Sequence, residues 1–210
     1  MLPVAIEFMD RPCIRATEAH AHAGYPDCAA LLIVEVEGTA PEIDEQLALI
    51  RDIAQGFDPV EFRESRSEDE SRRIWLGRKS AFGAMGQLGD YICLDGTIPV
   101  SALPRVLARI EELSQDYGLP VANVFHAGDG NMHPLIIHDA NTPGDLDRAE
   151  ALGADILRLC VEVGGCLTGE HGVGIEKRAL MTAQYPPADL EAQMRVKDVF
   201  DPRWLLNAAK

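Results

Sequence analysis

Two histidines flank a tight-turn signal in the segment HAGDGNMH, residues 126–133. Asp129 and Gly130 form a preferred pair for a two-residue type I′ hairpin turn. In the register that this turn sets, His126 lies directly opposite His133, with Cβ atoms about 4.5–5.5 Å apart on one face. Two imidazoles at that spacing can both reach one divalent metal at roughly 2.0–2.1 Å. The pattern therefore predicts either a metal site that needs a third ligand or a cross-strand pair of partly buried neutral histidines.

A glycine-rich loop, GGCLTGEHGVG at residues 164–174, contains five glycines in eleven residues. Such density indicates positive φ angles or a group packed directly against the main chain. Glu170 and His171 stand between Gly169 and Gly172, where backbone freedom can bring both side chains into one site. Glu170 can supply the third metal ligand, and His171 can serve as a base near neutral pH. The alternative is a loop that ends a helix and carries a solvated Glu–His pair.

The same loop is not a nucleotide-binding fingerprint. Residues 172–177, GVGIEK, carry Lys177 where the GxGxxG pattern requires its third glycine. The sequence also lacks the GxxxxGK segment of a P-loop. We therefore expect no phosphate cradle for a dinucleotide within these residues.

The composition is typical of a soluble globular protein. The chain has 210 residues, of which 47% are hydrophobic and 25% charged, so it can form a core without a disulfide or a metal. Its formal net charge of −15 opposes general binding to nucleic acids and to anionic membrane surfaces.

The five cysteines form an odd set without a CxxC pair: Cys13, Cys28, Cys93, Cys160 and Cys166. This argues against a disulfide framework and for a reducing compartment. The first ten residues lack a basic segment and include two acidic residues, so no signal peptide is predicted. The longest apolar run, residues 28–34, is too short to span a bilayer. We expect a cytoplasmic protein, with any membrane association made through a partner subunit.

Strand-like and helix-like segments alternate along the first 140 residues. Hydrophobic periodicity predicts strands at 4–9, 29–38, 59–65, 91–99, 121–128 and 131–138. It predicts one helix that follows the first strand and ends near residue 22, and further helices at 41–57, 67–77 and 101–117. After Pro143 a helix at 143–163 and short helices to Lys210 are predicted. The fold class is therefore α+β: a ferredoxin-like antiparallel sheet with helices on one face (1–140), plus a small C-terminal helical subdomain (141–210).

Three segments and the spacing between them resemble one enzyme family. They are HAGDGNMHP, then GGCLTGEHGVGIEK, and finally FDPRWLLN at residues 200–207. They are similar to the C-terminal half of flavin-dependent 2-hydroxyacid dehydrogenases, in the vanillyl-alcohol-oxidase superfamily. Residues 75–104 resemble in particular the group of the glycolate oxidase flavin subunit and D-lactate dehydrogenase.

The resemblance implies oxidation of a small anionic 2-hydroxy acid, glycolate or D-lactate, by hydride transfer to FAD. In the family, FAD is held mainly by an FAD-binding domain that precedes this region and is absent from these 210 residues. We therefore expect 1–140 to be the substrate domain and the isolated chain to be inactive. The implied partners are the FAD-binding domain or other oxidase subunits, an electron acceptor at the periphery, and further copies in a homo-oligomer.

Position by position, the resemblance also implies roles for six residues of this sequence. They are His126, His133 and Glu170 as ligands of a divalent metal (Zn or Mn), His171 as catalytic base, Arg78 for the substrate carboxylate, and Asn207 in the C-terminal motif that approaches the flavin.

Two departures from the pattern bear on the substrate. Cys93 stands where the hydroxyglutarate enzymes of the family use a lysine for the distal carboxylate, and Phe82 replaces a small hydroxylated residue. A second substrate carboxylate would lack its partners, which disfavours hydroxyglutarate. Two other functions stay open: a stand-alone metal-binding module, and a zinc hydrolase, although no metalloprotease HExxH motif is present.

Overall fold

The computed structural model describes residues 3–208, so Met1, Leu2, Ala209 and Lys210, the ends of the two predicted domains, lie outside the described chain. The strands in this range are β1 (Ala5–Asp10), β2 (Ala30–Glu35), β3 (Asp90–Cys93), β4 (Gly96–Thr97), β5 (Val121–His126), β6 (Asn131–Met132) and β7 (Pro134–His138). The helices are α1 (Arg11–Ala21), α2 (Ala40–Gln55), α3 (Glu68–Met85), α4 (Leu103–Tyr117), α5 (Asp145–Glu162), α6 (Met181–Gln184) and α7 (Pro187–Phe200). Short 3₁₀ turns lie at Val100–Ala102 and Arg178–Leu180. Among residues 3–208, none of the helices has the length and apolar character needed to cross a membrane.

The strands form one antiparallel sheet in which β5 is central. β1 lies on one side of β5, with β2 beyond it, and β6 and β7 lie on the other side. β3 pairs with β7 and β4 pairs with β6 in one continuous register. Asp95, between β3 and β4, therefore lies opposite His133, between β6 and β7. The strand pairing is interrupted at these two residues, which belong to none of the four strands.

The α+β class with an antiparallel sheet is confirmed, but helices cover both faces of the sheet rather than the single face predicted. Helices α4 and α5 pack on the face that carries Phe125 and Ile136. Helices α1 and α3 pack on the face that carries Val124 and Leu135. Neighbouring residues of β5 and β7 thus enter opposite cores. A short apolar run buried on both faces lacks the alternation that would reveal the second layer of helices.

Helix α5 lies beyond the predicted boundary at residues 140 and 141. Its residues Leu152 and Ile156 are buried in the same core as Val106 and Ile110 of α4. The division into two domains stays a prediction, and helix α5 packs on the sheet together with α4.

Two local predictions were wrong. Residues 59–65 form no strand, and the helix predicted to end near residue 77 continues to Met85. Gly77 is needed inside this helix, since a Cβ atom there would lie 2.3 Å from the ring of Tyr25. The glycine that suggested a helix end instead allows α3 to approach that ring closely.

Cys166 is expected to be the fastest-reacting thiol of the chain. Burial raises the pKa of Cys13 and Cys160 to about 12 and that of Cys93 to about 11, and Cys28 is also buried. Cys166 is exposed, and a thiol must be accessible and ionised to react. Alkylation at neutral pH followed by peptide mass spectrometry measures the order. Modification of Cys93 before Cys166 would contradict this packing.

Candidate active site

The hairpin that carries the two histidines has a wider turn than predicted. His126 pairs with Asn131, and the Gly130 amide donates to the His126 carbonyl over 3.2 Å, so four residues form the turn. The predicted two-residue turn was wrong, and His133 lies two positions beyond the residue opposite His126. A shift of two residues keeps a side chain on the same face of a sheet. The two imidazole centroids consequently still lie 5.3 Å apart.

His133 is a buried histidine without a hydrogen-bond partner in the described chain. Its exposed fraction is 3%, and neither ring nitrogen makes a hydrogen bond. Burial, followed by the neighbouring His126 and His171, lowers its pKa. A neutral imidazole retains a nitrogen lone pair, which is the form that binds a metal. Buried polar atoms are rarely left unpaired in proteins, so the unpaired Nε2 atom that faces Glu170 is suited to bind a ligand.

The Glu170 side chain is directed at the imidazoles. Its Oε1 atom lies 3.3 Å from Nε2 of His133, and 3.8 Å from Nε2 of both His126 and His171. The His171 ring stacks on the His133 ring, with centroids 5.0 Å apart. The side chains of Glu170 and His171 are about half exposed, so the cluster opens to incoming molecules. The structure thus brings together all four residues predicted for the metal and the base.

The cluster fits a divalent metal. Ligand atoms of Asp95, His133, Glu170 and His171 all lie within 4.8 Å of one another, and His126 borders this group through Glu170. Imidazole nitrogens with a carboxylate oxygen form a donor set that suits Zn²⁺ or Mn²⁺. Together with the unpaired nitrogens of His133, this donor set supports a metal at this position.

Asp95 is a site residue that the sequence analysis missed. It is fully buried, and its carboxylate accepts hydrogen bonds from four groups of the glycine-rich loop and from the Lys177 side chain. They are the Thr168 hydroxyl (2.6 Å), the amides of Gly169 (3.0 Å), Glu170 (3.1 Å) and His171 (2.9 Å), and Nζ of Lys177 (3.2 Å).

These bonds decide both the charge and the role of Asp95. Burial acts to raise its pKa, but the Thr168 hydroxyl, the loop amides and the Lys177 ammonium hold the pKa well below its usual range. Four of the five hydrogen bonds reach Oδ2, so we assign Asp95 to fixing the loop. Its Oδ1 atom accepts only from the Glu170 amide and lies 3.6 Å from Nε2 of His133. A single aspartate between two short strands gives no periodic signal. Only the pairing of β3 and β4 with β7 and β6 places it here.

Close contacts with the sheet explain two glycines of the loop, Gly165 and Gly169. Cys166 and Thr97 exchange two backbone hydrogen bonds of 3.0 and 3.1 Å, which join the loop to β4. A Cβ atom on Gly165 would lie 1.8 Å from the Thr97 carbonyl oxygen, and one on Gly169 would lie 2.4 Å from Oδ1 of Asn131. The main chain must approach the sheet this closely for Glu170 to reach the histidines.

Arg78 is connected to the histidine cluster through Glu7, a second residue that the sequence analysis missed. Its Nε atom donates to Oε2 of Glu7 over 2.9 Å, and Oε1 of Glu7 lies 2.8 Å from Nδ1 of His126. The guanidinium carbon lies 5.9 Å from the ring centre of Phe82, which in turn lies 6.2 Å from that of His133. The predicted carboxylate-binding arginine is thus next to the predicted metal ligands.

Asn207 is exposed near the end of the described chain, after α7. Its φ angle is 48°, a conformation that asparagine tolerates better than most residues. Within residues 3–208, no hydrogen bond or ion pair joins it to the histidine cluster. Its approach to a flavin stays a prediction.

Comparison with known proteins identifies the family of this arrangement. A family model described as "FAD linked oxidases, C-terminal domain" matches residues 1–210. The chain belongs to this family. The glycolate oxidase subunit GlcD of Escherichia coli K12 is 50% identical over all of the chain and 42% of its own length. GlcD of Bacillus subtilis is 31% identical over 100% of this chain and 45% of its own length. A probable mitochondrial D-lactate dehydrogenase of Danio rerio is 29% identical over 100% of this chain and 43% of its own length.

A solved structure has a similar fold. The 4-ethylphenol oxidase from Gulosibacter chungangensis, in its isoeugenol complex, aligns with a TM-score of 0.62 at 14% identity. The alignment covers 97% of this chain and 46% of the oxidase. The chain therefore spans less than half the length of the relatives it matches, and it corresponds to the C-terminal part of an FAD-linked oxidoreductase.

Proposed function

We propose that this chain is the substrate- and metal-binding part of an FAD-dependent oxidoreductase that oxidises a small 2-hydroxy acid. The observation that carries the proposal is the buried, unpaired imidazole of His133 facing the Glu170 carboxylate at 3.3 Å. The names of the glycolate oxidase and D-lactate dehydrogenase relatives support glycolate or D-lactate as the substrate.

In this proposal His126, His133 and Glu170 hold the divalent metal. A metal bound there would supply Lewis acidity that lowers the pKa of the substrate hydroxyl. FAD, held mainly by the part of the enzyme outside this chain, would supply the hydride acceptor. The residues of this chain provide position and electrostatics, since they set where the carboxylate and the hydroxyl of the substrate lie.

Arg78 binds the substrate carboxylate. Its Nε atom is occupied by Glu7, and neither Nη atom has a hydrogen-bond partner in the described part of the chain. Two free Nη donors match the two oxygens of a carboxylate. The net charge of −15 does not prevent this, because most surface charges are screened beyond about 8–10 Å.

His171 takes the proton of the substrate hydroxyl. Its ring stacks on His133 and its Nε2 atom lies 3.8 Å from Oε1 of Glu170. In this proposal the base lies beside the metal ligands His133 and Glu170, where the substrate hydroxyl would bind. The His171 side chain is about half exposed, so its ring can pass the proton to solvent.

The walls of the site favour a short monocarboxylate. Phe82 is half-buried between Arg78 and His133, where a large side chain limits the room beside the carboxylate. Burial raises the pKa of Cys93 to about 11, so this residue is a neutral thiol and offers no charge to a second carboxylate. Both features support glycolate or D-lactate over hydroxyglutarate.

The test is anaerobic flavin reduction after the chain is combined with its cognate FAD-binding part. We expect glycolate or D-lactate to bleach the flavin, D-2-hydroxyglutarate to be a poor reductant, and removal of the metal by a chelator to stop bleaching. His133→Ala should abolish zinc binding, whereas the control His20→Ala, at an exposed residue of α1, should not. Failure of all three acids, or bleaching that is insensitive to the chelator, would overturn the proposal.

A further inference from the structure

Glu7 is a buried carboxylate at the centre of the site, and the proposed chemistry assigns it no role. Glu7 has an exposed fraction of 5%. It lies on β1 directly across from His126 of β5, in a strand pair that also aligns Phe8 with Phe125. Because cross-strand partners share a face of the sheet, the strand register fixes Glu7 beside the His126 ring. Helix α3 packs on this same face and brings Arg78 to the other side of the carboxylate.

The two oxygens of Glu7 have different partners. Oε2 accepts from Nε of Arg78 over 2.9 Å, and Oε1 lies 2.8 Å from Nδ1 of His126. The side chains of Glu7 and Arg78 are 6% and 10% exposed, so water competes little for either contact. An arginine is always charged and only donates. Oε2 of Glu7 must therefore accept, and the adjacent guanidinium charge favours the carboxylate form, in which Oε1 also accepts.

This constraint decides which nitrogen of His126 carries the hydrogen. A neutral imidazole has one N–H donor and one acceptor nitrogen. Since Oε1 can only accept, the hydrogen resides on Nδ1 and the lone pair on Nε2. Nε2 is the nitrogen that faces Glu170, at 3.8 Å from its Oε1 atom. The chain of contacts from Arg78 through Glu7 to His126 thus presents a lone pair to the centre of the cluster.

We propose that Glu7 is a positioning residue that fixes His126 in its Nδ1–H tautomer, so that Nε2 is free to bind a metal, while anchoring Arg78 by its Nε atom. This inference deepens the proposed function and rests on it for the identity of the site. It makes Glu7 the link between the two halves of the site, the metal ligands and the carboxylate-binding arginine.

Glu7→Gln gives a specific expectation because it replaces one acceptor oxygen by a donor at nearly constant shape. The remaining carbonyl oxygen must stay on Arg78, which can only donate. The new amide group then faces Nδ1 of His126 and requires a lone pair there, which moves the hydrogen to Nε2. The variant should therefore invert the tautomer and weaken zinc binding by roughly 10–100-fold, the usual effect of losing an orienting partner of a metal ligand.

The experiment uses the zinc-free 210-residue chain labelled with ¹⁵N-histidine. Long-range ¹H–¹⁵N spectra report the tautomer of each ring, and His126→Gln identifies the His126 signals by their loss. We expect the wild-type His126 to be the Nδ1–H tautomer and the Glu7→Gln variant to be the Nε2–H tautomer. Glu35→Gln is the matched control, because Glu35 is an exposed glutamate of the adjacent strand β2, and it should change neither the tautomer nor zinc affinity.

Competition titration with zinc, and the KM and kcat of the assembled enzyme, complete the test. In Glu7→Gln we expect weaker zinc binding with a smaller change in KM at saturating zinc, since Arg78 keeps an acceptor. A wild-type His126 in the Nε2–H or a mixed tautomer overturns the inference even if the variant does not fold. So does a folded Glu7→Gln protein with an unchanged tautomer and zinc affinity. If the wild-type chain binds no zinc, the proposed function fails, while the spectra still decide the action of Glu7 on His126.

Discussion

Replacing His171 with alanine is expected to lower kcat of the assembled enzyme by roughly 10²–10⁴-fold, the usual contribution of a positioned general base. The metal content should stay nearly intact, because His133 and Glu170 already face each other at 3.3 Å without His171. Flavin reduction under anaerobic conditions gives kcat, and elemental analysis of the same sample gives the metal content.

Glu170→Ala is the matched comparison, since Glu170 is the neighbouring residue of the same loop. It should lose metal first and raise KM together with the fall in kcat, because substrate binding and activation both depend on the cation. If His171→Ala removes the metal and Glu170→Ala retains it, the two roles are exchanged. If neither variant changes turnover more than about threefold, well below a typical catalytic contribution, the loop has only a structural role.

Asp95→Ala should lower the free energy of unfolding of the 210-residue chain by about 3–5 kcal/mol, as expected when one partner of a buried ion pair is removed. The change leaves the 6%-exposed Lys177 without its acceptor at 3.2 Å, and it removes the acceptor of the loop amides. Urea unfolding monitored by circular dichroism measures the loss. Zinc binding should weaken in parallel, since Glu170 is held toward His133 by this loop.

A double variant separates the ion pair from the loop anchor. Asp95→Ala combined with Lys177→Met removes the buried charge, so it should recover part of the stability lost by Asp95→Ala alone. It should not recover zinc binding, because the amides of Glu170 and His171 still lack their acceptor. Asp116→Ala, at an exposed residue of α4, controls for the loss of one surface charge. A cost below about 1 kcal/mol for Asp95→Ala, the level of an exposed ion pair, would contradict this account.

The sequence determined the features that depend on near neighbours in the chain. The apolar stripe and Gly118 predicted a helix at 101–117, and α4 occupies Leu103–Tyr117 with Gly118 at φ 64°. The glycine-rich loop was recognised from its composition, and its glycines lie against the sheet and in positive-φ positions. The register expected from the Asp129–Gly130 turn placed both histidines on one face. That prediction survived the wrong turn because the register differed by two residues, and an error of one would have reversed it.

Only the tertiary structure decided which distant residues complete the site. Asp95 bonds to the amide of Glu170, 75 residues away, and Glu7 contacts His126 across 119 residues. These contacts depend on strand order and on the register of β1 with β5 and of β3 and β4 with β7 and β6. Periodicity reports which face a residue occupies, but it carries no information on which strand becomes its neighbour. For this reason the sequence could indicate the histidines and Glu170 that the structure brings together, whereas the carboxylates of Asp95 and Glu7 beside them could not be predicted.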